Sequence, residues 1–317
     1  MKTINLEVLQ EFLENESIHY KIMYGDRNKK EINYVFSSLF APLKEGFYFY
    51  IGDKIPDEIE NSLVLIGRDI EEELLSDSKN IFCRVNGNPQ IIYYKIMNEL
   101  FGEVSTGIIS SLAQIHPEAE LGTNVQIDPF CIIGKVRLGD NCIIKSHTTI
   151  FDNTIIDNNT TIETHSAIGA RGVAWTWNEE ETKKIVQPQL GGVHIKEACF
   201  LGANTIIVRG SINENTIIGE NTLFAPGCRI GHGSIIGDYV HFANGVVTGG
   251  NTVINKHSFV GSSVVFRPKV KIHEYTIVGA GSTVVKDTTS SKLTLMGVPA
   301  KEFKSKVNPK GMPKPKK

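Results

Sequence analysis

Between Ile115 and Val284 an aliphatic or small residue returns every six positions, a period that belongs to neither a helix nor an isolated strand. The clearest run is Ile212, Ile218, Phe224, Ile230, Ile236, Phe242, Thr248, Ile254, Val260, Phe266, Ile272, Val278 and Val284, with Thr248 its only weak rung. An earlier run reads Ile115, Leu121, Ile127, Ile133, slips by one residue to Leu138, and continues through Ile144, Ile150, Ile156, Ile162 and Ile168. Ile195, Leu201 and Ile207 lie between the two. An amphipathic helix would place apolar residues at i, i+3, i+4 and i+7, and a lone strand would alternate over only four to eight residues. A six-residue register carrying Thr, Ser, Val or Cys four positions after most rungs is instead the hexapeptide repeat of a parallel β-helix. Three hexads close one triangular coil, so residues eighteen apart are expected to stack at the strand spacing of roughly 4.8 Å.

The expected fold is mainly β: a left-handed parallel β-helix of hexapeptide repeats with a small N-terminal α/β domain. Residues 1–104 carry no hexads and read as that α/β module, with strands at GFYFYIG, SLVLIG and IFCRVNGNP. A linker helix follows Pro89, presenting Ile92, Ile96 and Leu100 on one face. The coil is expected over 105–296, interrupted by a loop at 169–192 that has no repeat and holds both tryptophans, Trp175 and Trp177. A loop of that length inside a solenoid is usually functional or disordered. The two indoles either cap a coil edge or face a ligand. Residues 297–317 form an expected flexible tail, with six lysines and three prolines after Phe303.

Composition excludes several classes. A net charge of -2 gives no global basic field for nucleic acid, and no run of eighteen apolar residues suggests a membrane span. The first residues, MKTINLEVLQEFLENES, lack the apolar core of a signal peptide, so a cytoplasmic protein is expected. Cys83, Cys131, Cys142, Cys199 and Cys228 form no CxxC pair and read as packed thiols.

The coil period sorts the nine histidines. His116, His194, His241 and His273 have no evident polar partner one coil away and read as surface residues. His147 and His165 are expected to stack, but a divalent site normally needs three or four ligands, and no metal is expected there. His232 differs, because glycines flank it in CRIGHGSIIG, Glu214 lies eighteen residues before it and Gly250 eighteen after. A carboxylate, an imidazole and an unobstructed backbone amide are thus expected in one column. The carboxylate would hold one ring nitrogen, leaving the other as a base near neutral pH, and the Gly250 N–H would receive a tetrahedral oxyanion. Acylation of an amine by a thioester requires those three parts. Elsewhere, Phe47, Tyr48, Phe49 and Tyr50 alternate along a strand, with Phe49 nominated to stack on a nucleotide base, and Arg171 and Arg209 are candidates to meet a pyrophosphate.

Several segments together resemble the UDP-3-O-acylglucosamine N-acyltransferase family of hexapeptide-repeat acyltransferases. HPEAELGTNVQID is similar to that family's first turn, VNGNPQIIYYKIMNELF to its linker helix, GARGVAWTW to its aromatic substrate loop, and CRIGHGSIIGD to the segment of its catalytic histidine. The resemblance implies His232 as general base, Gly249 and Gly250 as backbone contacts to the donor, and Lys269 where some members carry a second histidine. It implies Phe49 at the base-binding segment, although Gly52 and Asp53 stand about where that segment has asparagine. It also implies a homotrimer, an acyl carrier protein or coenzyme A thioester as donor, and a nucleotide-linked amino sugar as acceptor. The closing GVPAKEF resembles coenzyme A dependent sugar acetyltransferases. The acceptor is either the lipid A intermediate or another nucleotide amino sugar. The competing readings are a zinc carbonic-anhydrase-like protein, for which the histidine pair five residues apart is missing, and a non-catalytic scaffold trimer.

Overall fold

The computed structural model describes residues 2–23, 32–52, 56–68, 70–75 and 79–304. The chain divides into two compact units, Met1–Glu103 and Val104–Lys317.

The first unit is a six-stranded sheet ordered β1(Thr3–Ile4), β3(Tyr34–Phe36), β4(Gly46–Tyr50), β5(Leu63–Ile66), β6(Ile81–Val85), β2(Tyr20–Met23), with β3 to β6 parallel and β1 and β2 antiparallel at the edges. Helix α1(Leu6–Asn15) is capped by Asn5, whose side chain accepts from Val8 N at 2.9 Å. Helix α2(Pro89–Phe101) is capped by Asn88 and has proline at its first position. Both helices bury their apolar faces on the sheet through Leu9, Phe12, Leu13, Ile92, Tyr93 and Ile96. Leu100, expected on the same face as Ile92 and Ile96, is instead exposed near the end of α2. All four residues of β5 are buried, as a strand covered on both faces requires.

The second unit is the left-handed β-helix, three parallel sheets whose strands are mostly two residues long. Registers pair Ile115 with Ile133, Ile133 with Ile150, Leu138 with Ile156 and Ile144 with Ile162, so the one-residue slip before Leu138 is absorbed at a corner without breaking the stack. The rungs fill the prism as a continuous core, and the small residues preceding them, such as Thr148, Thr160, Thr222 and Thr276, are fully buried. Corners turn through left-handed backbone, occupied by Asn124, Asn141, Asn159, His147, His165, Tyr239, His257 and Tyr275. That conformation costs a non-glycine residue about 1–2 kcal/mol. Stacking offsets it: Asn124, Asn141 and Asn159 form a side-chain hydrogen-bond ladder. His147 and His165 lie parallel at 4.8 Å, and Tyr239, His257 and Tyr275 follow one another at 4.9 Å.

Four expectations are corrected here. Ile212 is 57% exposed and is not a rung, because Ile207 and Ile218 stand eleven residues apart, five more than a hexad. His194 bonds Asp157 at 2.9 Å and His273 bonds Thr288 at 2.8 Å, so both have polar partners. His241 is half-buried and stacked on Phe259, and burial pushes its pKa down. The tail does not begin at 297, since Lys301–Lys304 folds back antiparallel on Leu293–Met296, which extends one coil sheet; residues 305–317 and Asp53 lie outside the described residues. Among the described residues no three His, Cys, Asp or Glu side chains cluster to hold a metal ion, and no helix is long and apolar enough to cross a membrane.

All five cysteines are free and buried, and burial raises their pKa, for Cys83 and Cys199 to about 12 and for Cys228 to about 11. A thiolate-selective disulfide reagent at neutral pH should therefore titrate almost none of them in the native protein and all of them in guanidinium chloride. Rapid native labelling would contradict this packing.

Candidate active site

The site stands at one corner of the prism, where the chain departs from the hexad period twice in succession. The rungs Ile168 and Ile195 enclose the 169–192 insertion, and one coil later Ile207 and Ile218 enclose the five-residue bulge around 210–214. His232 occupies the same corner in the next coil and Gly250 in the one after.

The histidine's backbone is clamped on both sides. Gly231 N–H donates to the Thr248 hydroxyl at 3.0 Å and Gly233 N–H to the Thr216 hydroxyl at 2.9 Å, while the His232 carbonyl accepts from Asn251 N at 2.7 Å. Thr248, the weak rung of the ladder, thereby has a structural reason: its side chain takes an amide proton, and only Arg229 and Val247 pair between the two strands. The imidazole lies directly on Gly250. A Cβ built there would stand 2.3 Å from His232 Nε2 and 2.6 Å from Cε1, so any side chain displaces the ring. The Gly250 N–H has no acceptor among the described residues, and its carbonyl accepts from Lys269 N at 2.9 Å. The Gly249 carbonyl accepts from the Thr252 hydroxyl at 2.8 Å, and its N–H donates to Phe266 O.

The expected direct bond from Glu214 to the imidazole is corrected. Counting back eighteen from His232 reaches Glu214 only along the following strand, where Ile218 pairs with Ile236. Along the preceding strand, where Ile207 pairs with Ile230, the residue beneath His232 is Arg209, and the bulge fills the difference. The ring contact is made by Ser211, whose hydroxyl lies 3.0 Å from His232 Nδ1. Glu214 instead accepts from Ser211 N at 2.7 Å and Ile212 N at 3.0 Å. Those two amides, with a smaller contribution from His232, hold its carboxyl below the usual carboxylate range, so it is ionised at neutral pH. Ser211 carried no signal in the hexad register, because it sits in the added residues.

Arg209 is also corrected as a pyrophosphate contact. It is 8% exposed and turns inward, its Nε donating to Gly169 O at 2.8 Å and Nη2 to Asp152 O at 2.9 Å. Burial, and then the nearby Arg171 charge, hold its pKa below the ordinary value. It braces the start of the insertion, while Arg171 is exposed. The insertion itself is an antiparallel hairpin, Ala174–Trp177 with Lys184–Gln187. Its turn is closed by Asn178, whose side-chain oxygen accepts from Thr182 N and Lys183 N. Trp175 and Trp177 are half-exposed and meet edge to face at 5.3 Å, with the Lys184 ammonium 4.1 Å above the first ring.

In the N-terminal unit, Phe49 is partly exposed and packs on Tyr93 at 5.2 Å and on Tyr94 at 6.0 Å. The next residue, Tyr50, lines a cleft of about 360 Å3 with Gly52, Gly67, Arg68, Gly87 and Asn88, at the carboxyl ends of β4, β5 and β6. Strand alternation sends the two rings to opposite faces.

Comparison with known proteins agrees with this architecture. Residues 118–152, 215–250 and 251–286 match the family "Bacterial transferase hexapeptide (six repeats)". UDP-3-O-acylglucosamine N-acyltransferase 1 of Francisella tularensis is 29% identical over 189 residues, 53% of this chain and 54% of that protein. The UDP-3-O-acylglucosamine N-acyltransferase of Coxiella burnetii is 26% identical over 170 residues, 47% of this chain and 49% of its own. The chain thus spans about half the length of these curated relatives. Among solved structures, the UDP-N-acetylglucosamine O-acyltransferase of Moraxella catarrhalis has a TM-score of 0.57 at 25% identity, covering 64% of this chain and 76% of its own. The UDP-N-acetylglucosamine acyltransferase of Francisella novicida gives 0.56 at 27%, covering 64% and 72%. The chain therefore carries hexapeptide repeats and is similar in sequence to the UDP-3-O-acylglucosamine N-acyltransferases and in fold to the UDP-N-acetylglucosamine acyltransferases.

Proposed function

We propose that this protein transfers an acyl group from a thioester, carried by acyl carrier protein or coenzyme A, to the amine of a nucleotide-linked amino sugar. The single observation that carries the proposal is the His232 imidazole seated on the bare backbone of Gly250. In this reading His232 Nε2 removes the proton as the sugar amine attacks the thioester carbonyl. The Gly250 N–H stabilises the tetrahedral oxyanion, and collapse expels the thiolate, which takes the proton back from the imidazolium. No covalent enzyme intermediate is required. The Trp175 and Trp177 hairpin contacts the acceptor, Arg171 its phosphates, and Gly249 and Lys269 the donor. A cytoplasmic homotrimer goes with this reading.

A second reading, transfer to a sugar hydroxyl, draws on the solved O-acyltransferase of similar fold. The test is incubation with UDP-sugars bearing a free amine or only hydroxyls, each with acyl-carrier-protein and coenzyme A thioesters of graded length, and products read by mass spectrometry. A hydroxylamine-stable amide is the expected product. An ester would select the second reading, and the absence of any acyl transfer would defeat both.

Gly250→Ala tests the geometry. Its methyl group must push the imidazole aside, and misplacement by about 1 Å costs on the order of 10²-fold in rate. The expected result is a kcat lowered by that order with a melting temperature close to that of the parent. Unchanged kcat would separate Gly250 from the chemistry.

A further inference from the structure

We infer that Ser211 is a positioning residue for His232, and that the bulge holding it ties the orientation of the imidazole to the tryptophan hairpin; the inference rests on the reading of His232 as the base. The Ser211 hydroxyl stands 3.0 Å from Nδ1, the ring nitrogen remote from Gly250. Ser211 is itself fixed from two directions. Its N–H donates to the Glu214 carboxylate at 2.7 Å, and its carbonyl accepts from Leu190 N at 3.1 Å on the return side of the insertion. Gly210 N–H adds a bond to Gly192 O at 3.0 Å. The bulge is closed on itself so tightly that a Cβ at Gly210 would overlap the Glu214 carbonyl.

These contacts set the tautomer. A hydroxyl can donate to a neutral ring nitrogen or accept from it, so Ser211 alone is indifferent. The ionised Glu214 behind it makes the Nδ1 side of the ring the negative side, which favours the proton on Nδ1 and leaves the lone pair on Nε2, over Gly250. Because Leu190 lies between the hairpin strand Lys184–Gln187 and the coil strand that begins at Gly192, a shift of the hairpin reaches Ser211 through the Leu190 backbone hydrogen bond, while the Gly210 bond to Gly192 anchors the bulge to the coil. Occupation of the indoles and orientation of the base are thereby linked.

Four variants, Ser211→Ala, Ser211→Thr, Glu214→Gln and His232→Ala, test this in the full chain. The readouts are kcat and KM against pH, together with the 15N chemical shifts of the His232 ring. Ser211→Ala is expected to lower kcat by about 10- to 100-fold with KM changed less than about threefold. The ring signals should move from one tautomer to a mixture, and Ser211→Thr should restore both. Glu214→Gln should move the same ring signals while the hydroxyl remains. If Ser211→Ala leaves rate, pH profile and ring signals at parental values while His232→Ala abolishes activity, the positioning role is wrong and the base stands. If His232→Ala keeps full activity, the base reading fails, and the 15N signals still report whether Ser211 holds the ring. An acyl adduct on Ser211 by intact mass would overturn positioning in favour of a nucleophile.

Discussion

Replacing His232 by alanine is expected to lower kcat for acyl transfer by about 10²- to 10⁴-fold, the range that a positioned general base contributes. The fold should survive. The ring lies outside the coil core, partly exposed, and the backbone on either side is held by hydroxyls of Thr216 and Thr248 that the substitution does not touch. Circular dichroism and melting temperature should thus match the parent while turnover collapses. KM for the acceptor should change little, since the loss falls on the transition state. Residual activity is still expected, because the Gly250 amide and the bound geometry remain. Turnover at the parental level, with acceptor and donor both verified, would remove His232 from the mechanism.

The largest effect on stability is expected from Phe242→Ala, about 3–5 kcal/mol. Phe242 is fully buried in the prism and lies parallel to Phe224 at 4.7 Å. The cavity left by its ring cannot close by sliding the coils together, because the backbone ladder holds Phe242 against Phe224 below and Val260 above at strand spacing. Rungs in a solenoid touch mainly their neighbours, so the damage should be local and should lower the denaturation midpoint of the coil without changing its denaturant slope. Ile236→Val, one methylene smaller at a neighbouring rung, serves as the scale and should cost about 0.5–1.5 kcal/mol. A Phe242 variant no weaker than the Ile236 one would mean that the interior relaxes far more than its close packing suggests.

The coil was legible because its signal is periodic and redundant. Each rung from Ile115 through Ile207, and again from Ile218 to Val284, is read independently, and the slip at Leu138 is visible as a five-residue step. The parallel stack of His147 on His165 followed from the same arithmetic. The His232 and Gly250 relation was also readable, since no residue is added between Ile230 and Phe266 and eighteen positions make one full coil there. The Glu214 contact was not, because the added residues after Arg209 put two registers into conflict and a count from one side cannot see the other. Ser211 was hidden for the same reason, and Thr248 was visible as an irregular rung whose partner, Gly231, was not. Phe49 could not be distinguished from Tyr50 by alternation alone, since which face α2 covers is a matter of packing.

By itself the amino-acid sequence determined the repeating unit, its coil and the column that seats His232 on Gly250, because backbone hydrogen bonding at a fixed period converts chain distance into position. Only the tertiary structure decided what lies where that period breaks: Ser211 on the ring, Glu214 on two amides, Arg209 turned inward and the tryptophans on a hairpin. Added residues have no register to obey, so their conformation is fixed by whichever buried amides and carbonyls need partners.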